Sequence, residues 1–204
     1  MTRAVPQPRS SPDAAPGSAD AALARRYARE LGWVTAGRDP LHLLTGESFD
    51  VLELPAEAGH AVLRRGVRTG PVLLCGARMG LLVAAGGADE LPGLLDWLEW
   101  GPLAPDLTAV GAGGRVAAPP LPGSPGGPTG AAVWLRPPEP RRAPGSALPA
   151  LTGFGSSGGD APDLVRLVDA AATECHRVRL SHAGSGAPTG VLTRGSADQP
   201  LAFS

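Results

Sequence analysis

The sequence has no lysine; its 18 basic residues are all arginine. A lysine nucleophile, a Schiff-base amine and the lysine of a phosphate-binding P-loop are therefore excluded. Aromatic residues make up only 4% of the chain, too few to line a broad groove with rings on which bases stack. The two cysteines, Cys75 and Cys175, lie far apart, which leaves neither a disulfide framework nor a metal-binding spacing. An excess of one charge is missing as well: 18 basic against 19 acidic residues leave a net charge of -1, so there is no chain-wide basic field for nucleic acid. Long apolar runs are absent too. The most apolar stretch, Pro71 to Gly87, is interrupted by Arg78 and by glycines and is too short for a bilayer span. The opening MTRAVPQPRSSPDAAPGSAD holds no apolar segment of the kind a secretory leader needs. These absences predict a cytoplasmic chain with no membrane partner.

What is there is enough for a fold. The chain has 204 residues, 43% of them hydrophobic, with a mean hydropathy of +0.01. That suits one domain with tails, large enough to bury a core without a covalent staple. The 29 Gly and 23 Pro, together about a quarter of the chain, approach the level of low-complexity sequence and concentrate in the ends and loops. The composition predicts a disordered N-terminal arm at 1–18, a single domain at 19–180 and a disordered tail at 181–204.

Within the domain, Leu23, Tyr27 and Leu31 recur every fourth residue, which predicts a helix over 19–31 stopped by Gly32. Trp33-Val34 reads as a short edge strand before a turn at Arg38-Asp39-Pro40. Ser48 to Leu54 is a strand ended by Pro55, and Ala56 to Arg65 a helix closed by Gly66. Pro71 to Cys75 and Gly80 to Ala84 are strands joined by a turn. Asp89 to Trp100 is a helix with Leu91, Leu94, Leu95 and Leu98 as its stripe, and Pro92 is tolerable in its first turn. Asp106 to Val110 and Arg115 to Ala118 are short strands flanking Gly111 to Gly114. Ala131 to Leu135 is a further strand after the loop Pro119 to Thr129, and Asp160 to Arg179 is a final helix. The predicted class is α+β: strand, helix, strand, strand, helix, strand is the order of a ferredoxin-like, RNA-recognition-motif-like βαββαβ core with mostly antiparallel strands and helices on one face, here with added N- and C-terminal helices.

Four segments in this order, FDVLELPAEAG (Phe49 to Gly59), GPVLLCGARMGLLVAAG (Gly70 to Gly86), GAGGRVAAPP (Gly111 to Pro120) and AVWLRPP (Ala132 to Pro138), resemble the bifunctional DNA primase/polymerase (Prim-Pol) domain, most closely its short stand-alone actinobacterial versions. The resemblance spans about residues 20–178, and its most specific piece is GGRVAAPP followed by a Gly-rich loop and a VW strand. It implies a Prim-Pol fold on an RNA-recognition-motif-like sheet and a link to DNA replication. The chemistry implied is nucleotide polymerisation by two Mg²⁺ or Mn²⁺ ions held by an Asp-x-Asp pair on one strand, a histidine at the incoming phosphates and a third acid on a later strand.

Set on this sequence, the Asp-x-Asp pair falls on Glu53 and Pro55, and proline has no ligating side chain. Asp50, the other acid of the strand, is three residues from Glu53, so strand alternation sends the two to opposite faces. The histidine falls near Met79 or Gly80, in a stretch without histidine from His60 to His176. The third acid falls near Thr108, or on Asp106 after a shift of two. The remnant catalytic candidates are thus Glu53, Asp106 and Asp50, with Glu53 the candidate metal ligand; otherwise Asp50 and Glu53 are a solvent-facing acid and an edge-strand acid. Arg78, in the turn where the family meets phosphate, and Arg115, with Gly113 and Gly114 before it, are candidates for holding a phosphate or a nucleic-acid backbone by guanidinium forks; otherwise they are solvated arginines and a plain strand connection.

His176, Arg177 and Arg179 complement the carbonyl end of the last helix, or with Arg166 form a basic patch. Cys175 and His176 cannot activate each other, because neighbours on a helix point about 100° apart. Trp97, Trp100 and Trp134 are expected to pack. The expectation is a degenerate Prim-Pol-like protein, a pseudoenzyme without a cofactor, acting by binding a nucleotide, single-stranded nucleic acid or a protein partner. Its rivals are an active primase/polymerase using Mg²⁺ or Mn²⁺ at Glu53 and Asp106, and a purely protein-interaction or regulatory module.

Overall fold

A computed structural model describes residues 16–103, 105–124, 132–139, 148–151 and 163–185. Along the chain run α1 (Pro16–Leu31), β1 (Thr35–Ala36), β2 (His42–Leu44), β3 (Asp50–Pro55), α2 (Ala56–Arg64), β4 (Val72–Cys75), β5 (Arg78–Val83), α3 (Gly87–Trp97), β6 (Thr108–Val110), β7 (Arg115–Ala117), β8 (Val133–Arg136) and α4 (Leu164–Ser185). The class is α+β, with antiparallel pairing in both sheets: one of five strands in the order β6-β3-β5-β4-β8 and one of three, β1-β2-β7.

The alternation of β3 and β5 explains why the chain folds around them. Leu52, Leu54, Met79, Leu81 and Val83 point to one side, where Val62 of α2, Leu91 of α3 and Leu164, Leu167, Val168 and Ala171 of α4 close over them. Val51 and Leu82 point to the other side, with Leu73 of β4, and meet Tyr27 of α1, Trp33, Phe49, Leu43 of β2 and Val116 of β7. A sheet covered on both faces needs apolar residues at consecutive positions, and Met79 to Val83 are all buried.

The two helices within the strand–helix unit, α2 and α3, share one face as expected, and the added helices divide between the faces. Helices α2, α3 and α4 cover one face; α1 and the small sheet cover the other. Trp33, expected in an edge strand, is instead 6% exposed and sits 4.5 Å from the ring of Phe49, 6.1 Å from Tyr27 and 6.3 Å from Trp134. The strand begins two residues later, at Thr35. The Tyr27 hydroxyl donates to the Pro119 carbonyl and accepts from Trp134 Nε1 at 3.1 Å, which satisfies the polar atoms of this aromatic core. Burial pushes the Tyr27 phenol well above its ordinary range.

Helix α4 also differs from expectation. Asp163 Oδ1 accepts from the Val165 amide at 2.8 Å and caps its start, and the helix continues to Ser185, past the predicted end at Arg179. Residues 181–185 of the predicted tail are therefore helical, and 16–18 of the predicted arm belong to α1; 1–15 and 186–204 lie outside the described residues. Glu174, 6% exposed on α4, places Oε1 at 2.9 Å from Arg65 Nε and 3.0 Å from Arg177, and so ties α4 to the end of α2. Among the described residues no helix is long and apolar enough to cross a membrane.

At the centre of the large sheet Gly80 pairs with Glu53 and Leu73. A Cβ there would come within 2.9 Å of both Val51 Cγ1 and Leu73 Cγ, atoms of two buried branched side chains with little room to retreat. Gly80→Ala is expected to destabilise the fold by about 1–3 kcal/mol, measured as a lower urea midpoint. An unchanged midpoint would mean the two faces are not closed over this position.

Candidate functional site

The predicted site residues separate into two places. At one end of β3, Glu53 is partly exposed on the face away from α2, α3 and α4, opposite Gly80 and Thr108. Arg78 opens β5 beside it. Its guanidinium donates to Asp106 Oδ1 at 2.7 Å and to the main-chain carbonyl of Glu53 at 3.2 Å. Asp106, two residues before β6, turns its own carbonyl to the Cys175 thiol, whose sulfur lies 3.3 Å away. Glu53, Arg78 and Asp106 are thus brought together.

This group does not suit a metal cage. A divalent ion needs several free oxygen donors, and the Asp106 carboxylate is bonded to a fixed positive charge that repels a dication. Pro55 contributes no donor, and Asp50 faces the opposite side of the sheet. Among the described residues no group of three His, Cys, Asp or Glu side chains converges as a metal site. The Arg78 and Asp106 side chains are 36% and 58% exposed, so their ion pair contributes on the order of 0–1 kcal/mol.

Asp50 lies at the other end of β3 and is neither solvent-facing nor on an edge strand: β6 pairs outside β3, and Asp50 is 1% exposed. Its Oδ2 accepts from the Gly86 amide at 2.9 Å and the Ala88 amide at 3.0 Å, the unsatisfied donors at the start of α3. Gly86, in the left-handed region at φ 89°, offers no capping side chain, so the cap comes from the strand. A negative carboxylate there also complements the positive end of the helix. Gly111 lets Asp50 and α3 approach, since a Cβ on it would fall 2.7 Å from that of Ala88. Sequence spacing gave no sign of this role, because a cap supplied from a distant strand leaves no local motif.

The glycine loop is occupied by its own hydrogen bonds. The Gly114 amide donates to Gly111 O at 3.0 Å, the Gly114 carbonyl accepts from the Thr45 amide at 3.2 Å, and Thr45 Oγ1 donates to Gly111 O. A Cβ on Gly114 would meet Val110 Cγ1 at 2.4 Å, whereas Gly113 is open and needs glycine for its φ of 75°. The loop therefore serves as the crossing from the large sheet to the small one. Arg115 begins β7 in the small sheet, opposite Leu44, and is exposed. It stands at the Gly111 end of β6 and Arg78 at the Asp106 end, so the two arginines do not form one phosphate clamp.

Cys175 is 2% exposed, and burial, with the Asp106 charge beside it, pushes its thiol up to about 12. His176 packs its ring 6.0 Å from Trp100 rather than on Cys175. Arg177 is held by Glu174, and Arg166 lies 3.9 Å from Asp163. Trp100 and Trp134 pack as expected; Trp97 does not, at 72% exposure. Family models, curated proteins and solved structures yield no match to this chain.

Two outcomes follow from this geometry. Asp50→Ala removes the cap of α3 and is expected to lower stability by about 1–2 kcal/mol in urea unfolding, with loss of amide-exchange protection at Gly86 and Ala88; protection unchanged would refute the capping role. A thiol reagent at pH 8 is expected to modify Cys75 alone in the folded protein and both cysteines in denaturant. The Cys175 thiol, raised from 9.0 to about 12 on folding, adds stability that is intact below pH 9 and fades as pH climbs toward 12.

Proposed function

We propose that this chain is a catalytically silent relative of the primase/polymerase domain, which keeps the ferredoxin-like scaffold and acts by binding rather than by bond formation. The order β6-β3-β5-β4 of the βαββαβ unit, antiparallel throughout, supports the scaffold. The observation that carries the reading is the Arg78 guanidinium between the Asp106 carboxylate and the Glu53 carbonyl, where two-metal chemistry needs open oxygens. An arginine with an exposed flank suits a phosphate-bearing ligand, a nucleotide or single-stranded nucleic acid, that competes with Asp106 for the fork. Exposed Arg115 gives a second, separate phosphate contact.

The test is primer extension and nucleic-acid binding with the same preparation. No template-directed incorporation is expected with Mg²⁺ or Mn²⁺, nor with Arg78→Ala, which frees Asp106. Neither ion is expected to raise the melting point, whereas an ion at a hundredfold excess over its Kd would add about 2.7 kcal/mol. Single-stranded DNA is expected to bind in low salt, with the logarithmic salt slope reduced by about 0.7 on Arg78→Ala or Arg115→Ala. Incorporation that Glu53→Ala abolishes would establish the enzyme instead, and indifference to nucleotides and DNA would remove the phosphate-ligand reading.

A further inference from the structure

We propose that the outer face of α3 is a docking site for an arginine-bearing segment of a partner protein, seated over Gly93 and against Trp97. On a helix surface the neighbours of a residue stand three and four positions away. For Gly93 these are Asp89, Glu90, Asp96 and Trp97, carboxylates and an indole, and all of them are exposed, as is Gly93 itself. Nothing lies within 4 Å of the place that a Gly93 Cβ would take. The side chains around it thus border a bare stretch of backbone without filling it.

No contact within the described residues requires that glycine. It lies in the middle of a helix that runs from Gly87 to Trp97, where alanine would fit and would favour the helix. Gly80, Gly87 and Gly111 differ, because a Cβ on each would strike a neighbouring side chain. A glycine kept on an open helix face suits close approach from outside. Trp97 stands out in the same way. It is 72% exposed, whereas Trp33, Trp100 and Trp134 pack in the two cores. An exposed indole beside a bare backbone is the kind of anchor on which a partner gains most of its contact energy.

Charge selects the occupant. From Met79 to Gly114 the sequence contains Asp89, Glu90, Asp96, Glu99 and Asp106 and no arginine or histidine. Arg78 binds Asp106, but the other four have no ion pair among the described residues. Arg166 of the neighbouring α4 is paired instead with Asp163, at 3.9 Å. A cation is what this face lacks, and nucleic acid or an anionic lipid would be repelled. A guanidinium laid on Trp97 is attracted by the face of the ring while its donors reach the carboxylates. Asp89 and Asp96 are two turns apart, about 10 Å along the helix. Asp96 leans further away, toward Gly101, whose Cβ would fall 2.6 Å from its Oδ1. One guanidinium does not span that length, whereas arginines three residues apart on an extended segment are also about 10 Å apart. Arg26, Arg65, Arg78, Arg136 and Arg177 are held by acceptors of this same chain, which favours a segment from another protein. The site is separate from the Glu53–Arg78–Asp106 group and opposite to it in the charge it recruits.

Titration of the full chain with the peptide Gly-Arg-Ser-Ser-Arg-Gly, followed by NMR, tests this. The Gly93 amide and the Trp97 indole N–H are expected to shift, with affinity falling about tenfold between about 50 mM and about 500 mM salt. Gly93→Leu fills the gap without changing charge. It is expected to leave the urea midpoint unlowered and to raise the dissociation constant about tenfold. Trp97→Ala is expected to raise it about fivefold and Glu90→Gln about threefold. Arg78→Ala is expected to leave peptide binding unchanged, so this site and the phosphate reading stand or fall separately. Absence of shifts at Gly93 and Trp97 overturns the proposal. So does binding indifferent to both Gly93→Leu and Trp97→Ala, which is charge attraction without a site. Movement of the same signals with protein concentration alone would overturn it too and assign the face to a second copy.

Discussion

The pairing of β3 with β5 is the constraint from which the rest follows. Six residues face six, from Asp50 opposite Val83 to Pro55 opposite Arg78, and alternate side chains supply two separate cores. A slip of one residue would exchange every side chain between those cores, placing Asp50 and Glu53 each on the wrong side. Gly80 marks how closely the two demands meet. Val51 and Leu73 fill the space that any larger residue would take, and Glu53, paired with Gly80, is the half-buried polar residue beside this contact.

That register also decides what the acids can do. Asp50 arrives on the helical face beside the first amides of α3 and becomes a buried cap. Glu53, three residues on, emerges on the other face, where its strand carbonyl receives Arg78. The same pairing that puts Arg78 opposite Pro55 delivers its guanidinium to Asp106. Carboxylates that a metal site would need to bring together are thus divided between stabilising a helix and balancing an arginine. Moving either one would require a different register, not a different rotamer.

Much of this was legible in the sequence because it rests on short-range periodicity. The leucines of α3, the apolar run of β5, the strand–helix order from β3 to β6 and the opposed directions of Asp50 and Glu53 all follow from periods of 3.6 and 2. What escaped depends on distant partners. Strands β1 and β2 are two and three residues long, and β2 is held between β1 and β7, with Leu43 opposite Thr35 and Val116. Without that small sheet Trp33 reads as an edge residue rather than the centre of an aromatic core. Likewise the burial of Asp50 depends on β6 adding outside β3, and the role of Glu174 on arginines from two helices. Helix α4 overran its predicted end because Arg179 offers no stop; the next glycine is Gly184.

The absence of lysine gives these features a common cause. A guanidinium can serve two acceptors at once in one plane, and the chain uses this repeatedly: Arg26 on Glu30 and Ser124, Arg78 on Asp106 and Glu53, Arg136 on the hydroxyl and carbonyl of Thr69. Such forks hold elements together while leaving an exposed flank. The always-charged guanidinium has no lone pair to take up a proton, so it suits recognition better than proton transfer. In the places where the sheet and the helical layer meet solvent, the chain therefore presents fixed positive charge set against carboxylates. Around Arg78 that charge is already balanced by Asp106, which leaves this carboxylate bonded to a cation instead of open to a metal ion.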